Sequence, residues 1–293
     1  MSCARPRKIR LVKGLLSILA LAALAGCATN EITGRSQFIV VPESMAISES
    51  AVAYNSMMGE LGKKRQVESP DTERVRKVHE ITNRLIAQAI KFRPESANWK
   101  WEVQVINDPK TVNAFCMAGG KMAIYTGLLE QLKATDDEIA QVMGHEISHA
   151  LANHTQERMS IAMTSQIGLE VAAIALGGRQ GAGLALTGAQ MAAIVAIQLP
   201  NSRESESEAD RIGIELAARA GYDPRAAVTL WEKMEKAGGK TPPQFLSTHP
   251  SPQNRRETLA GLGPKMEPLY QAAKANPPAS APSFLDGKRG TPK

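Results

Sequence analysis

Apolar positions recur at helical spacing between Asp71 and Phe92, where Val75, Val78, Ile81, Leu85, Ala89 and Ile90 share one face and Pro94 closes the segment. The pattern then changes to period two in Trp101-Glu102-Val103-Gln104-Val105-Ile106, which predicts a strand with one buried face. Asn107-Asp108-Pro109 is a turn. Two further extended runs, 112–117 and 122–126, flank Gly119-Gly120, the signature of a hairpin or sharp bend. Helical spacing returns after Thr135-Asp136-Asp137-Glu138, a capping box in which Thr135 caps and Glu138 reaches back. Helix, small sheet, then many helices predicts an α+β domain that is mostly α.

Residues 159–199 hold long runs of Ala, Ile, Leu and Gly, but Gln166, Glu170, Arg179, Gln180, Gln190 and Gln198 interrupt them. Neither apolar half reaches the roughly twenty residues of a membrane span, so two packed helices forming a lid or hairpin are expected.

The ends differ from the middle. Arg5, Arg7, Lys8, Arg10 and Lys13 precede an apolar run from Gly14 through Ala25, the layout of an export signal. It ends in Leu24-Ala25-Gly26-Cys27, which resembles the site where lipoprotein leaders are cut and the cysteine is lipidated. Residues 1–26 are therefore expected to be a leader, with the mature chain anchored through Cys27. Ala28, rather than an aspartate, follows the cysteine; this favours the periplasmic face of the outer membrane. Residues 27–45 read as a tether and a first strand, 46–265 as the catalytic domain, and 266–293, rich in Pro, Ala and Ser, as a disordered tail.

Removing the leader changes the charge argument. The net charge of +6 falls to about +1 once the five basic leader side chains are discounted, which excludes a nucleic-acid reading from the basic pI. With Cys3 removed and Cys27 modified, Cys116 is the sole free thiol and no internal disulfide can form.

Within the capped segment lies His145-Glu146-Ile147-Ser148-His149. On a helix the two imidazoles share a face and can reach one zinc ion, with Glu146 directed toward a water on that ion. A third protein ligand is needed, leaving one position open. Among the downstream charged residues, Glu204, Glu208, Arg211, Glu215 and Arg219 form a stripe that reads as a solvated face. Glu206 and Asp210 share a stripe with Gly213 and Ala217, so they point inward and suit a zinc ligand and a group orienting a histidine N–H. His154 and His79 read as structural.

These residues resemble the gluzincin metalloendopeptidases of the type I CAAX prenyl protease and HtpX family, in its soluble bacterial lipoprotein branch. Further matches are Asn30-Glu31-Ile32-Thr33-Gly34-Arg35, Val112-Asn113-Ala114-Phe115, Tyr125-Thr126-Gly127-Leu128-Leu129 and Thr248-His249-Pro250-Ser251-Pro252 with Arg255. Ala118 stands where the family often has proline. The resemblance implies a zincin-like domain with a small sheet beside the motif helix, and one Zn2+ per chain bound by His145, His149 and Glu206. Glu146 would be catalytic and Asp210 would act behind the ligands. His249, in a Pro-rich segment, is expected to block the fourth position or to hydrogen-bond the oxyanion, with Arg255 fixing its loop or the carboxylates.

The run Lys121, Met122, Ala123, Ile124 and Tyr125, together with Asn113, is the candidate substrate-holding edge strand, taking an extended peptide by β-addition. The expected substrates are misfolded or misassembled envelope proteins. A chaperone or assembly factor with latent proteolysis is the second reading.

Overall fold

The computed structural model describes residues 27–175, 187–237, 243–250 and 254–278. The expected leader, 1–26, and the end of the tail, from 279 onward, lie outside these residues.

The chain opens with β1 (Cys27–Thr29) and β2 (Ser36–Phe38), an antiparallel pair, followed by α1 (Glu43–Lys63) and α2 (Glu73–Phe92). Residues 27–38 are no loose tether. Asn30 Nδ2 and Gln37 Nε2 both donate to the Ala152 carbonyl, and the backbone N–H groups of Val40 and Val41 donate to Ser160 Oγ. Polar side chains of the expected tether supply hydrogen bonds to the domain.

Thr72 caps α2 by accepting from the Val75 N–H, and the face predicted to be apolar is the buried one. A single 3-10 turn (Pro94–Asn98) leads into the sheet of β3 (Glu102–Ile106), β4 (Ala114–Met117) and β5 (Lys121–Tyr125). The strand order is β3-β5-β4, with β3 parallel and β4 antiparallel to β5. Gly119 and Gly120 make the β4–β5 turn in left-handed backbone, with φ of 77° and 79°.

This order corrects the substrate-strand expectation. β5 is the central strand: Lys121 to Tyr125 pair with Glu102 to Ile106 on one side, and β4 occupies the other. Its backbone has no edge to offer. Alternation and turn signals reveal that a strand exists, whereas order depends on which neighbours it meets across the fold. The outer side of β3 is partly taken, since Val67 bridges Ile106 and the Glu68 N–H donates to Val105. β4 is the other edge, and it packs on the motif helix.

The helical remainder comprises α3 (Thr126–Gln131), α4 (Asp136–Leu151), α5 (His154–Ala175), α6 (Gly188–Ile197), α7 (Arg203–Arg219), α8 (Ala226–Ala237), α9 (Gln244–Thr248) and α10 (Arg255–Ala275). The predicted capping box starts α4, with Thr135 and Glu138 bonded reciprocally. α5 and α6 pack together, as the broken apolar runs predicted, and no described helix is long and apolar enough to cross a membrane. α10 continues through 266–275 despite Pro264 and Pro268, so that part of the expected disordered tail is helical. Leu262 and Met266 give it a reason, because both pack against the main core.

The main core joins α2, the sheet, α4 and α7 through Val78, Leu85, Val105, Val142, Ile147 and Ile212. A second cluster, with Tyr54, Phe115, Met117 and Met191, sits between α1, β4 and α6. α4 therefore runs through the middle of the molecule, and most of its side chains are buried. Cys116 is buried and free, as a small core residue should be.

Candidate metal centre

α4 places His145 and His149 one turn apart with their Nε2 atoms 3.1 Å apart. α7 crosses α4 and brings in Glu206, whose Oε2 lies 3.3 Å from His145 Nε2 and whose Oε1 lies 3.3 Å from His149 Nε2. A tetrahedral ion with zinc–ligand bonds of about 2.0–2.1 Å would hold its ligand atoms about 3.3 Å apart. The three side chains fit that geometry. Lone-pair-bearing atoms facing one another in a buried site are otherwise unfavourable, and a cation is what resolves the arrangement.

His249 completes the corner. Its Nδ1 lies 3.0 Å from Glu206 Oε1 and 3.3 Å from His145 Nε2, and the ligand atoms of His145, His149, Glu206 and His249 all fall within 4.8 Å of one another. The His249 ring stacks on Phe245, with centroids 4.3 Å apart, and Asn201 Nδ2 approaches its Nδ1 at 3.3 Å. The sequence suggested two roles for His249, and the structure brings it to the position that would otherwise be open.

Glu146 points into the same space. Its Oε1 is buried and makes no hydrogen bond, although His249 Nε2 lies 3.4 Å away. Burial pushes its carboxyl up from the ordinary value, which suits a base that must hold a proton transiently.

Behind the ligands, His145 Nδ1 points at Asp210 Oδ1, 3.0 Å away. Arg255, at the first turn of α10, donates to Glu206 Oε2 at 3.0 Å and Asp210 Oδ1 at 2.6 Å, and its guanidinium lies 3.6 Å above the Trp231 ring. Burial works against charge on His145, but Glu206 and Asp210 raise it to about 9. Burial likewise works to raise Glu206, yet His249 and His145 hold it well below the usual carboxylate range. A pocket whose field favours a cation at Nε2 also favours a metal ion there.

Two expectations change here. His154, read as structural because it lies off the ligand face of the helix, hydrogen-bonds the second ligand: His149 Nδ1 to His154 Nδ1 is 2.8 Å. α4 has ended by then. Asn153 adopts φ 58° and turns the chain back into α5, so helical spacing no longer governs where His154 points. An asparagine just past the motif was the available signal. Glu208, assigned to a solvated stripe, meets His154 Nε2 at 2.9 Å and Arg35 Nε at 2.9 Å. Although burial opposes it, those partners hold Glu208 at about 2. No pattern within α7 reveals this, because the cover comes from residue 35.

Most of the proposed substrate residues are enclosed within the sheet and its packing. Met122, Ala123 and Ile124 are fully buried in β5, Lys121 is paired to Glu102 at 2.8 Å, and Asn113 is buried beside the sheet.

A family profile, Peptidase family M48, matches residues 72–262, which span the sheet, the motif helix, Glu206, Asp210, His249 and Arg255. The chain belongs to peptidase family M48. The resemblance read from the sequence therefore holds at that level. Mitochondrial metalloendopeptidase OMA1 of Saccharomyces cerevisiae is 32% identical over 253 residues, 82% of this chain and 70% of the relative. OMA1 of Arabidopsis thaliana is 44% identical over 160 residues, 55% of this chain and 31% of its own length. The beta-barrel assembly-enhancing protease of Escherichia coli is 32% identical over 165 residues, 54% of this chain and 34% of the relative. The chain thus spans about a third of the length of two of these relatives. As an M48 peptidase domain, its His145, His149 and Glu206 suit one Zn2+.

Proposed function

We propose that this chain is a lipid-anchored zinc metalloendopeptidase that cleaves misfolded or misassembled cell-envelope proteins, anchored through Cys27 on the periplasmic face of the outer membrane. The observation that carries the peptidase reading is the convergence of His145, His149 and Glu206 on one point beside the unbonded Glu146 Oε1. The leader pattern and Cys27 support the location, and the likeness to the beta-barrel assembly-enhancing protease of Escherichia coli supports a role tied to protein assembly. We read the finer placement as the soluble bacterial lipoprotein branch of the CAAX protease and HtpX type, on the leader pattern and Cys27.

Zinc bound by His145, His149 and Glu206 would supply Lewis-acid polarisation of a substrate carbonyl and of a water. Glu146 takes the proton from that water and returns it to the leaving nitrogen. Asp210 and Arg255 hold His145 and Glu206 against rotation. β4, the edge strand packed on α4, replaces β5 as the place for an extended substrate to pair. His249, whose Nδ1 lies 3.0 Å from Glu206 Oε1, would compete with water for the bound ion, and its withdrawal would open the site to substrate.

The test is Glu146→Gln. The purified variant should bind one zinc per chain and lose casein cleavage by about 10²–10⁴-fold. Its trapped envelope proteins should be those that the active form removes. Wild-type cleavage by the variant would overturn the assignment.

A further inference from the structure

We propose that the β1–β2 hairpin, which lies outside the residues matched by the family profile, is part of the metal site. Through Arg35, Glu208 and His154 it sets the ring orientation and tautomer of the ligand His149. The inference rests on the zinc reading above and adds positioning residues to it.

The chain of contacts is continuous. Arg35 Nε donates to Glu208 Oε1 at 2.9 Å, Glu208 Oε2 accepts from His154 Nε2 at 2.9 Å, and His154 Nδ1 meets His149 Nδ1 at 2.8 Å. Proton bookkeeping gives it a direction. A carboxylate only accepts, so a neutral His154 carries its proton on Nε2 and presents a bare Nδ1. His149 must then carry its own proton on Nδ1, which leaves the lone pair on Nε2. That is the nitrogen facing Glu206 and His145. A half-buried carboxylate two contacts away thus selects the ligating tautomer of His149.

Arg35 is itself fixed. Its Nη1 and Nη2 make a forked pair with Glu157 at 2.8 and 2.7 Å, and Gln37 Nε2 joins Glu157 Oε2 at 3.1 Å. Asn30 and Gln37 clasp the Ala152 carbonyl, the last turn before His154. The hairpin therefore grips both the turn that delivers His154 and the carboxylate that orients it. His145 has a parallel support in Asp210 and Arg255, so each histidine ligand is backed by a carboxylate that an arginine holds. The difference lies in the source: the arginine behind His145 is inside the profile-matched domain, and the one behind His149 is contributed by the segment next to Cys27.

The test uses the purified protein and the variants His154→Phe, Glu208→Leu and Arg35→Gln, with Arg35→Lys as the conservative form. Zinc affinity is measured by chelator competition, the metal-free forms are melted, and the visible bands of the cobalt-substituted proteins report ligand geometry. Loss of such a supporting partner typically weakens metal affinity by roughly 10- to 100-fold, and His154→Phe should fall in that range. Arg35→Gln should show a smaller loss in the same direction, Arg35→Lys should recover part of it, and the cobalt bands should shift in His154→Phe and Glu208→Leu. Wild-type zinc affinity and unshifted bands in all variants would overturn the proposal. So would lost affinity that tracks a lowered metal-free melting temperature while the bands stay unshifted, because the hairpin would then only brace the fold. Wild-type protein that binds no zinc would overturn the metal reading and this inference with it.

Discussion

Gly213 and Gly144 meet where α7 crosses α4. A β-carbon on Gly213 would stand 2.8 Å from the His145 nitrogen and 2.9 Å from its Cα, and one on Gly144 would stand 2.9 Å from the Gly213 carbonyl oxygen. The close crossing is what allows Glu206 of one helix to reach the histidines of the other. Gly213→Ala gains helix propensity of about 1 kcal/mol, but overpacking against backbone costs about 1–3 kcal/mol and cannot be relieved by a side-chain rotation. The variant should melt lower and bind zinc more weakly, because the displacement falls on His145. Equal melting temperature and equal zinc affinity would refute the account.

Arg255 is 2% exposed and holds two buried carboxylates. Arg255→Met would leave Glu206 and Asp210 with the His145 imidazole as their shared cationic partner in place of a forked guanidinium. Breaking a buried ion pair from one side typically costs about 3–5 kcal/mol. Urea unfolding of the metal-free protein should show a loss of that size, and a loss below about 1 kcal/mol would mean the carboxylates find other partners.

His249→Ala should raise basal casein cleavage several-fold at saturating zinc, because it empties the fourth corner. Zinc affinity should fall at the same time, as a ligand is removed. Slower cleavage at full zinc occupancy would assign His249 to transition-state stabilisation instead of closure.

Glu138 gives a pH prediction outside the metal site. Burial works to raise its carboxyl, but Lys233 at 2.6 Å, the Thr135 N–H and Thr229 hold it below the usual range. A carboxylate lowered by folding contributes stability that is fully present above its unfolded pKa of about 4.3 and is lost as pH falls through its lower folded value. Glu138→Gln should therefore destabilise by about 1–2 kcal/mol at neutral pH. The gap from wild type should close below about pH 4.3. Melting curves collected from pH 7 to pH 3 check this, and a gap that widens on acidification would reverse the sign.

What the sequence made legible was local. Thr135 and Glu138 are three residues apart and interact through one turn of backbone, so the start of α4 could be read directly. The inward stripe of Glu206 and Asp210 was legible for a similar reason, because helical spacing alone puts them with Gly213 and Ala217. Strand order was not, since β5 is flanked by residues 102–106 and 114–117 only once the parallel pairing with β3 has formed. His154 was missed because a left-handed Asn153 breaks the spacing rule, and Glu208 because its cover arrives from residue 35. The Glu208 error lies where two distant segments meet and neither announces the other, whereas the His154 error lies in a turn that helical spacing does not describe.

The metal centre and its supports draw on residues 35, 145, 149, 154, 206, 208, 210, 249 and 255, nearly the whole described length of the chain. Such long-range closure is slow and comes late in folding. No fragment that emerges early contains enough of the site to cleave a peptide. A chain that is still unfolded is therefore harmless to its neighbours and to other copies of itself, and acquires the capacity to cut only when its own fold is complete.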